Sequence, residues 1–261
     1  MDLGLKGKVA LVMASSRGLG QAMAVSLARE GVKVAVTGRN AEGLKKSVEL
    51  IEAAGGKALA LSWDLSDGSV IDALVTKVEQ ELGPIDILIN NTGGPPPTLA
   101  TGQDPALWQK SFNDMVLSLI SITDRVLPGM RQRKWGRIIT STTSGAIAPI
   151  KNLAISNTLR AALLAWSKTL AAEVAAEGVT VNVIMPGRVA TDRLRQLDEA
   201  RAQRENVSYE SVVQASLKQI PMGRYGNPQE YGDTAAFLAS QSASFITGSV
   251  IRVDGGQIQA I

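Results

Sequence analysis

The chain of 261 residues contains no cysteine and no histidine. Without cysteine there is no disulfide framework, no thiolate nucleophile and no sulfur ligand for a metal. Without histidine, Cys/His zinc sites and every Ser-His-Asp arrangement are closed as well, and no metal site is expected. Aromatic residues make up only 4% of the sequence, and 27 Lys and Arg against 24 Asp and Glu leave a net charge of +3. No basic block is interleaved with aromatics, so a nucleic-acid partner is not expected. Apolar runs are short: none approaches a membrane span, and Met1 to Lys8 lack the apolar core of a secretory signal. A soluble, cytoplasmic chain with no membrane partner is the expectation.

What is present is an alternation of short β-branched runs with longer amphipathic stretches, the pattern of a parallel sheet flanked by helices. Strands are predicted at Val9 to Met13, Val32 to Thr37, Ala58 to Ser62, Ile85 to Asn90, Arg137 to Thr140, Thr180 to Met185 and Val250 to Val253. The longest helical stretches run from Asp104 to Arg133, broken or kinked near Pro128, and from Ala154 to Glu177. No repeat or low-complexity linker divides the chain, and Gly93-Gly94-Pro95-Pro96-Pro97 reads as a stiff loop at the carboxyl edge of the sheet. The expected fold is α/β: one Rossmann-type, doubly wound domain over residues 1–261, with about seven parallel strands and helices on both faces.

The first strand is followed by Ala14-Ser15-Ser16-Arg17-Gly18-Leu19-Gly20 and an amphipathic helix beginning near Gln21. Small residues there let the backbone approach a pyrophosphate, whose charge is favoured by free N–H groups and the helix N-terminal dipole. Taken alone, the turn is equally well read as a plain Gly-rich βα connection.

Further markers recur in a fixed order. Met13 to Gly20 resembles the Thr-Gly-x-x-x-Gly-x-Gly of the short-chain dehydrogenase/reductase family, Asn90-Asn91-Thr92-Gly93 its Asn-Asn-Ala-Gly, and Pro186-Gly187-Arg188-Val189-Ala190-Thr191 its Pro-Gly-x-x-x-Thr. Gly226 to Glu230, Phe237 to Ser240 and Ile246 to Gly256 are similar to its C-terminal signature. The resemblance covers essentially the whole chain and is strongest to 3-oxoacyl-acyl-carrier-protein reductases and related forms. It implies a dinucleotide site built from Ala14, Ser16, Arg17, Gly18, Leu19, Gly20, Arg39, Asp64, Leu65, Asn91, Gly93, Arg160, Pro186, Gly187, Val189 and Thr191. Gly18 and Gly20 would cradle the pyrophosphate, Asp64 would meet the adenine, and Thr191 the carboxamide of a nicotinamide. Asp64 also reads as an N-cap for the helix that follows Asp67. The tip of the second strand, Val36-Thr37-Gly38-Arg39-Asn40, has no carboxylate for a ribose 2′-hydroxyl. Arg39 with Arg17 would clamp a 2′-phosphate instead, which favours NADP(H) over NAD(H).

The departures cluster where the family does its chemistry. The family's Tyr-x-x-x-Lys places a phenol and an ammonium on one helical face, where the cation stabilises the phenolate and makes it a usable acid. Here the segment reads Ser156-Asn157-Thr158-Leu159-Arg160. A serine hydroxyl is a far weaker acid, and Arg160 holds a charge without passing on its proton. Met115 stands in place of the family's active-site asparagine, and Thr143 in place of its serine, with Ser141, Thr142 and Ser144 as alternatives that also read as caps of the strand end. The candidate catalytic residues are therefore Thr143, Ser156, Arg160 and Met115. Ala14 also departs from the turn motif; alanine is tolerable there if the backbone has negative φ.

Residues 189–220 correspond to the family's substrate lid and carry Arg193, Arg195, Arg201 and Arg204 close after Arg188. These would attract an anionic ligand such as an acyl thioester, although interspersed Asp198, Glu199 and Glu205 read as a solvated helix. Tyr209 reads as lid packing rather than a substitute acid. The resemblance implies a homodimer or homotetramer through the 104–133 and 154–177 helices. The functional expectation is an atypical NADP(H)-dependent oxidoreductase acting on a small carbonyl or alcohol compound. The alternative is a non-catalytic NADP(H)-binding sensor or oligomeric partner.

Overall fold

The computed structural model describes residues 2–259. Its centre is a seven-stranded sheet, all parallel: β1 (Val9–Val12), β2 (Lys33–Gly38), β3 (Ala58–Ser62), β4 (Ile87–Asn90), β5 (Gly136–Ser141), β6 (Val179–Pro186) and β7 (Val250–Val253), in the order β3-β2-β1-β4-β5-β6-β7. Every expected strand is present within two residues of its expected bounds. The winding reverses between β1 and β4, where Leu11 lies between Ala35 and Leu88. The carboxyl edge at such a switch point is the ligand crevice of a doubly wound sheet.

Alternation along the strands fills two apolar layers. Ala10, Val12, Val34, Val36, Ile87 and Ile89 face helices α1 (Gly18–Arg29), α2 (Ala41–Ala53) and α9 (Pro228–Ala239), whose Met23, Leu27, Ile51 and Leu238 close the first layer. Leu11, Ala35, Leu88 and Ile138 face α3 (Ile71–Glu81), α5 (Ser118–Gln132) and α6 (Ala154–Val174), through Val78, Val126, Met130 and Val174. With both faces covered the strands read as continuous apolar runs, which is why periodicity located them. No helix among the described residues is long and apolar enough to cross a membrane.

The expected break near Pro128 is not there. Pro128 lies inside α5, and the irregularity comes earlier, as a π turn over Asn113–Leu117 between α4 (Pro105–Phe112) and α5. The Ser118 hydroxyl donates to the Asp114 carbonyl (2.9 Å) across this wide turn. Met115 sits within it. The lid segment is two helices, α7 (Asp192–Glu205) and α8 (Tyr209–Leu217), joined through Asn206 in the left-handed conformation.

Candidate functional site

The turn after β1 is tied to its neighbours by backbone and small side chains. The Ser15 amide donates to the Thr37 carbonyl (2.8 Å), the Ser15 hydroxyl donates to the Val12 carbonyl (2.7 Å), and the Ala14 amide donates to the Thr37 hydroxyl (3.0 Å). From β4, Asn91 Nδ2 donates to the carbonyls of Met13 (3.3 Å) and Ala14 (3.2 Å). Gly20 is required at this spot: a Cβ there would collide with the Ala14 carbonyl oxygen and come within 2.9 Å of Asn91 Nδ2. Gly18 opens α1 at φ 61°, and Arg17 before it makes no side-chain cap, so the first amides of the helix have no cap from that residue.

Ala14 itself has φ 46°. The condition under which alanine is tolerable, negative φ, is not met, and the position carries left-handed strain that glycine would not, about 1 to 2 kcal/mol. The network around Ser15, Thr37 and Asn91 holds the chain in that conformation.

A cleft of about 950 Å³ opens beside the turn, lined by Ser16, Arg17, Gly18, Arg39, Thr191 and Asp192 among others. Ser16 packs against Gly38, where a Cβ would meet its Oγ at 2.9 Å, so it joins the turn to the tip of β2. Arg39 is exposed and lies 3.6 Å from Asp64. Asp64 is not the helix cap. Its Oδ1 accepts from the Ser66 amide (3.0 Å) and hydroxyl (2.9 Å), whereas Asp67 caps the next turn through the Ser69 amide. Those bonds, with Arg39 assisting, hold the Asp64 carboxyl below the usual range. Leu65 turns inward against the second apolar layer. Thr191 caps α7, its hydroxyl oxygen accepting from the Leu194 amide (3.3 Å), which leaves its hydrogen available to a ligand carbonyl. Pro186 ends β6, the Gly187 amide donates to the Val253 carbonyl (3.0 Å), and Val189 is buried beside Gly226.

Met115, Thr143, Ser156 and Arg160 do not line that cleft. Met115 is 3% exposed and packs with Leu119, Ile155, Leu159 and Leu163, a closed apolar cluster between the π turn and α6. Thr143 is half-buried and caps the short turn after β5, its hydroxyl oxygen 3.5 Å from the Gly145 amide. Ser156, on the first turn of α6, is half-buried with no side-chain hydrogen bond among the described residues. One turn on, Arg160 is buried. Its Nη1 donates to the Ser141 carbonyl (2.9 Å), and its Nη2 to the carbonyls of Thr92 (3.0 Å) and Gly93 (3.1 Å). Burial pushes its pKa down to about 10, so it remains a cation at neutral pH. The guanidinium therefore binds the tip of β5 to the loop after β4, and both terminal nitrogens are engaged by the chain's own carbonyls.

Helix α6 carries no tyrosine. Of the three in the sequence, Tyr225 donates to Asp198 (2.8 Å), and Tyr209 opens α8 in the lid. Tyr231 is fully buried in α9, bonded to the Ser141 hydroxyl (2.9 Å) and the Ile184 carbonyl (3.0 Å), and burial raises its pKa above the ordinary phenol range. Sequence reasoning missed this Tyr231–Ser141 prop beneath the corner and the Asn91 tie. Asn91 had a signal in its place in the Asn90-Asn91-Thr92-Gly93 motif of the resemblance, whereas Tyr231 falls in none of the motifs read.

Comparison with known proteins agrees with this architecture. Residues 13–257 match the family described as Enoyl-(Acyl carrier protein) reductase. The 3-oxoacyl-[acyl-carrier-protein] reductase FabG of Pseudomonas aeruginosa is 36% identical over 256 residues, covering 97% of this chain and 98% of that protein. The acetoacetyl-CoA reductase of Shinella zoogloeoides is 36% identical over 250 residues, covering 96% and 98%. The structure of L-sorbose reductase from Gluconobacter frateurii, complexed with NADPH and L-sorbose, superimposes with a TM-score of 0.93 at 30% identity, over 100% of both chains. With its seven-stranded switch-point sheet, its glycine turn and these matches along nearly its whole length, the chain belongs to the short-chain dehydrogenase/reductase family.

Proposed function

We propose that this protein is an NADP(H)-dependent oxidoreductase acting on a small carbonyl or alcohol compound, with an altered proton-handling corner. The observation that carries the reading is the turn after β1, where a Gly20 side chain would strike Ala14 and Asn91, so the backbone keeps the narrow form that admits a pyrophosphate. The residues fit the cofactor: Gly18, Leu19 and Gly20 with Ser16 and Arg17 for the pyrophosphate, Arg39 for a 2′-phosphate, Asp64 and Leu65 for the adenine. Asn91, Gly93, Pro186, Gly187, Val189 and Thr191 frame the remainder. When bound, the cofactor supplies or accepts a hydride.

The chain's own contribution is positioning and charge. Thr143 donates its hydroxyl hydrogen to the substrate oxygen, and Thr191 donates to a carboxamide. Arg160 keeps the loop after β4 in register with β5 and places a buried positive charge beside the corner, which favours negative charge on that oxygen. Ser156 holds a water that delivers the proton, and Met115 seals the apolar side. NADPH oxidation in the presence of a panel of small aldehydes and ketones tests the reading. Slow, substrate-dependent oxidation is expected, and its absence across the panel would sink it.

One observation favours a second reading, a non-catalytic NADP(H)-binding sensor or partner of an active relative: both terminal nitrogens of Arg160 are engaged by main-chain carbonyls. Tight NADPH binding with no turnover would select it. A homodimer or homotetramer belongs to either reading and is supported by exposed Phe112 and Leu117 along the 104–133 stretch; sedimentation tests it. Residence in the cytoplasm is part of the same proposal.

A further inference from the structure

The first lid helix has little apolar surface to seat it. More than half of the 14 residues of α7 are charged, and the side chains it buries are Asp198 and Ala202, with Leu194 and Leu197 half-buried. The second lid helix, α8, buries Val212 and Ser216. Neither helix takes part in the two apolar layers that cover the sheet. Apolar burial is therefore a weak hold on α7. Its deepest side chain is instead a carboxylate: Asp198 is 1% exposed, a position an acid occupies only with partners.

Both partners come from outside the two helices. Arg188 Nη1 donates to Asp198 Oδ1 (2.7 Å), and the Tyr225 hydroxyl donates to Oδ2 (2.8 Å). Arg188 is fixed to the body of the fold by its main chain: its amide donates to Gln257 Oε1 (3.2 Å), and its carbonyl accepts from the Gly226 amide (2.9 Å). The Ala190 amide closes that bridge on the Gly226 carbonyl (2.9 Å), with Tyr225 next to it in the chain. Burial, with Asp198 beside it, raises the Tyr225 phenol, which keeps it a donor at neutral pH. The pairs Arg195–Glu199 and Arg201–Glu205 tie α7 only to itself, and exposed Arg193 adds one bond to the Pro95 carbonyl (3.2 Å). Where α7 begins, Ala190, Thr191 and Asp192 line the cleft.

We propose that Asp198 is the latch of the lid, a positioning residue whose carboxylate, gripped by Arg188 and Tyr225, seats α7 and with it Thr191 against the cleft. The proposal rests on the oxidoreductase reading above and adds what governs the lid of that site. Desolvation of the carboxylate offsets much of its attraction to Arg188, and both groups regain water when the helix lifts. Lifting exposes little apolar surface, so α7 opens without the rest of the fold.

The arginines at 193, 195, 201 and 204 make trypsin a reporter of that opening. In the full-length protein, Asp198→Asn and Arg188→Met should be cut within residues 193–204 about ten-fold or more faster than the unaltered chain, with Tyr225→Phe in between. Their urea midpoints should stay within about 10% of the unaltered protein's. NADPH should leave the first two variants about three- to ten-fold faster, read from its fluorescence after dilution, while its association rate changes less. Glu205→Gln, which removes an exposed pair on the same helix, should alter neither cutting nor release. Unchanged cutting in Asp198→Asn and Arg188→Met would overturn the proposal. Cutting spread over the whole chain with a parallel fall in the urea midpoint would overturn it too, making Asp198 a brace of the entire fold. So would local cutting with unchanged NADPH release. Failure of the unaltered protein to bind NADPH would overturn the oxidoreductase reading instead, and the site of cutting alone would then decide the latch.

Discussion

The turn after β1 and the corner between β5 and α6 are built in opposite ways. At the β1–β2 end the chain uses small residues and main-chain hydrogen bonds, leaving a narrow turn beside exposed cations at Arg17 and Arg39. At the β5–α6 end it uses a methionine inside an apolar cluster and an arginine whose donors are absorbed by Ser141, Thr92 and Gly93. The contrast teaches that one fold can shape one region through its backbone and brace another through side chains, and that the two can be altered separately. The form of the first depends on small residues and main-chain bonds, that of the second on two or three side chains.

The comparison can be broken from the catalytic end first. If only the side chains are missing, Ser156→Tyr with Arg160→Lys should raise NADPH-dependent turnover about a hundred-fold or more, the scale of positioned acid–base catalysis. A double variant that folds, binds NADPH and gains nothing would mean that the corner's shape has diverged as well. Arg160→Met alone tests the structural role: it leaves the buried Ser141 and Thr92 carbonyls without their donor and should cost about 3 kcal/mol or more in urea unfolding. A loss under 1 kcal/mol would contradict the idea that this arginine braces the corner.

At the other end the effects are smaller. Arg39→Ala should weaken NADPH about ten- to a hundred-fold and NADH by no more than two- to three-fold, because only the former offers a 2′-phosphate to the guanidinium. Parallel losses for both would make Arg39 a general electrostatic contributor. Ala14→Gly should stabilise the fold by about 0.5 to 1 kcal/mol, the relief of left-handed strain less the added freedom of the unfolded chain. A destabilised variant would show that the methyl group packs usefully at φ 46°.

Much of this was legible in the sequence. All seven strands could be read because a sheet covered on both faces makes each one a dense apolar run, and the glycine turn because the shape it needs excludes side chains. The irregularity at Asn113–Leu117 could not be read. A π turn is a single wide turn inside a continuous helix with no residue type of its own to announce it, whereas Pro128 advertises a break that α5 absorbs. The sign of φ at Ala14 was hidden because it is set by Thr37 on β2 and Asn91 just past β4. The same holds for Arg160. The sequence offered it as a counterpart of the family's lysine by resemblance, but its three acceptors come from segments 92–93 and 141, distant in sequence, and only the folded chain brings them together. Counting charges in the lid left two readings, a pull on an anionic ligand and a solvated helix. Four of the five arginines pair with acids, and only the folded geometry shows that Arg193 makes no ion pair among the described residues.

The central claim, an intact cofactor end beside an altered catalytic end, is tested most directly by titrating the purified protein with NADPH and, separately, with NADH while following fluorescence. The account predicts saturable binding of NADPH, about ten-fold or more tighter than NADH. Binding of neither would contradict it, and would mean that the strained Ala14 turn has closed the cleft to dinucleotides.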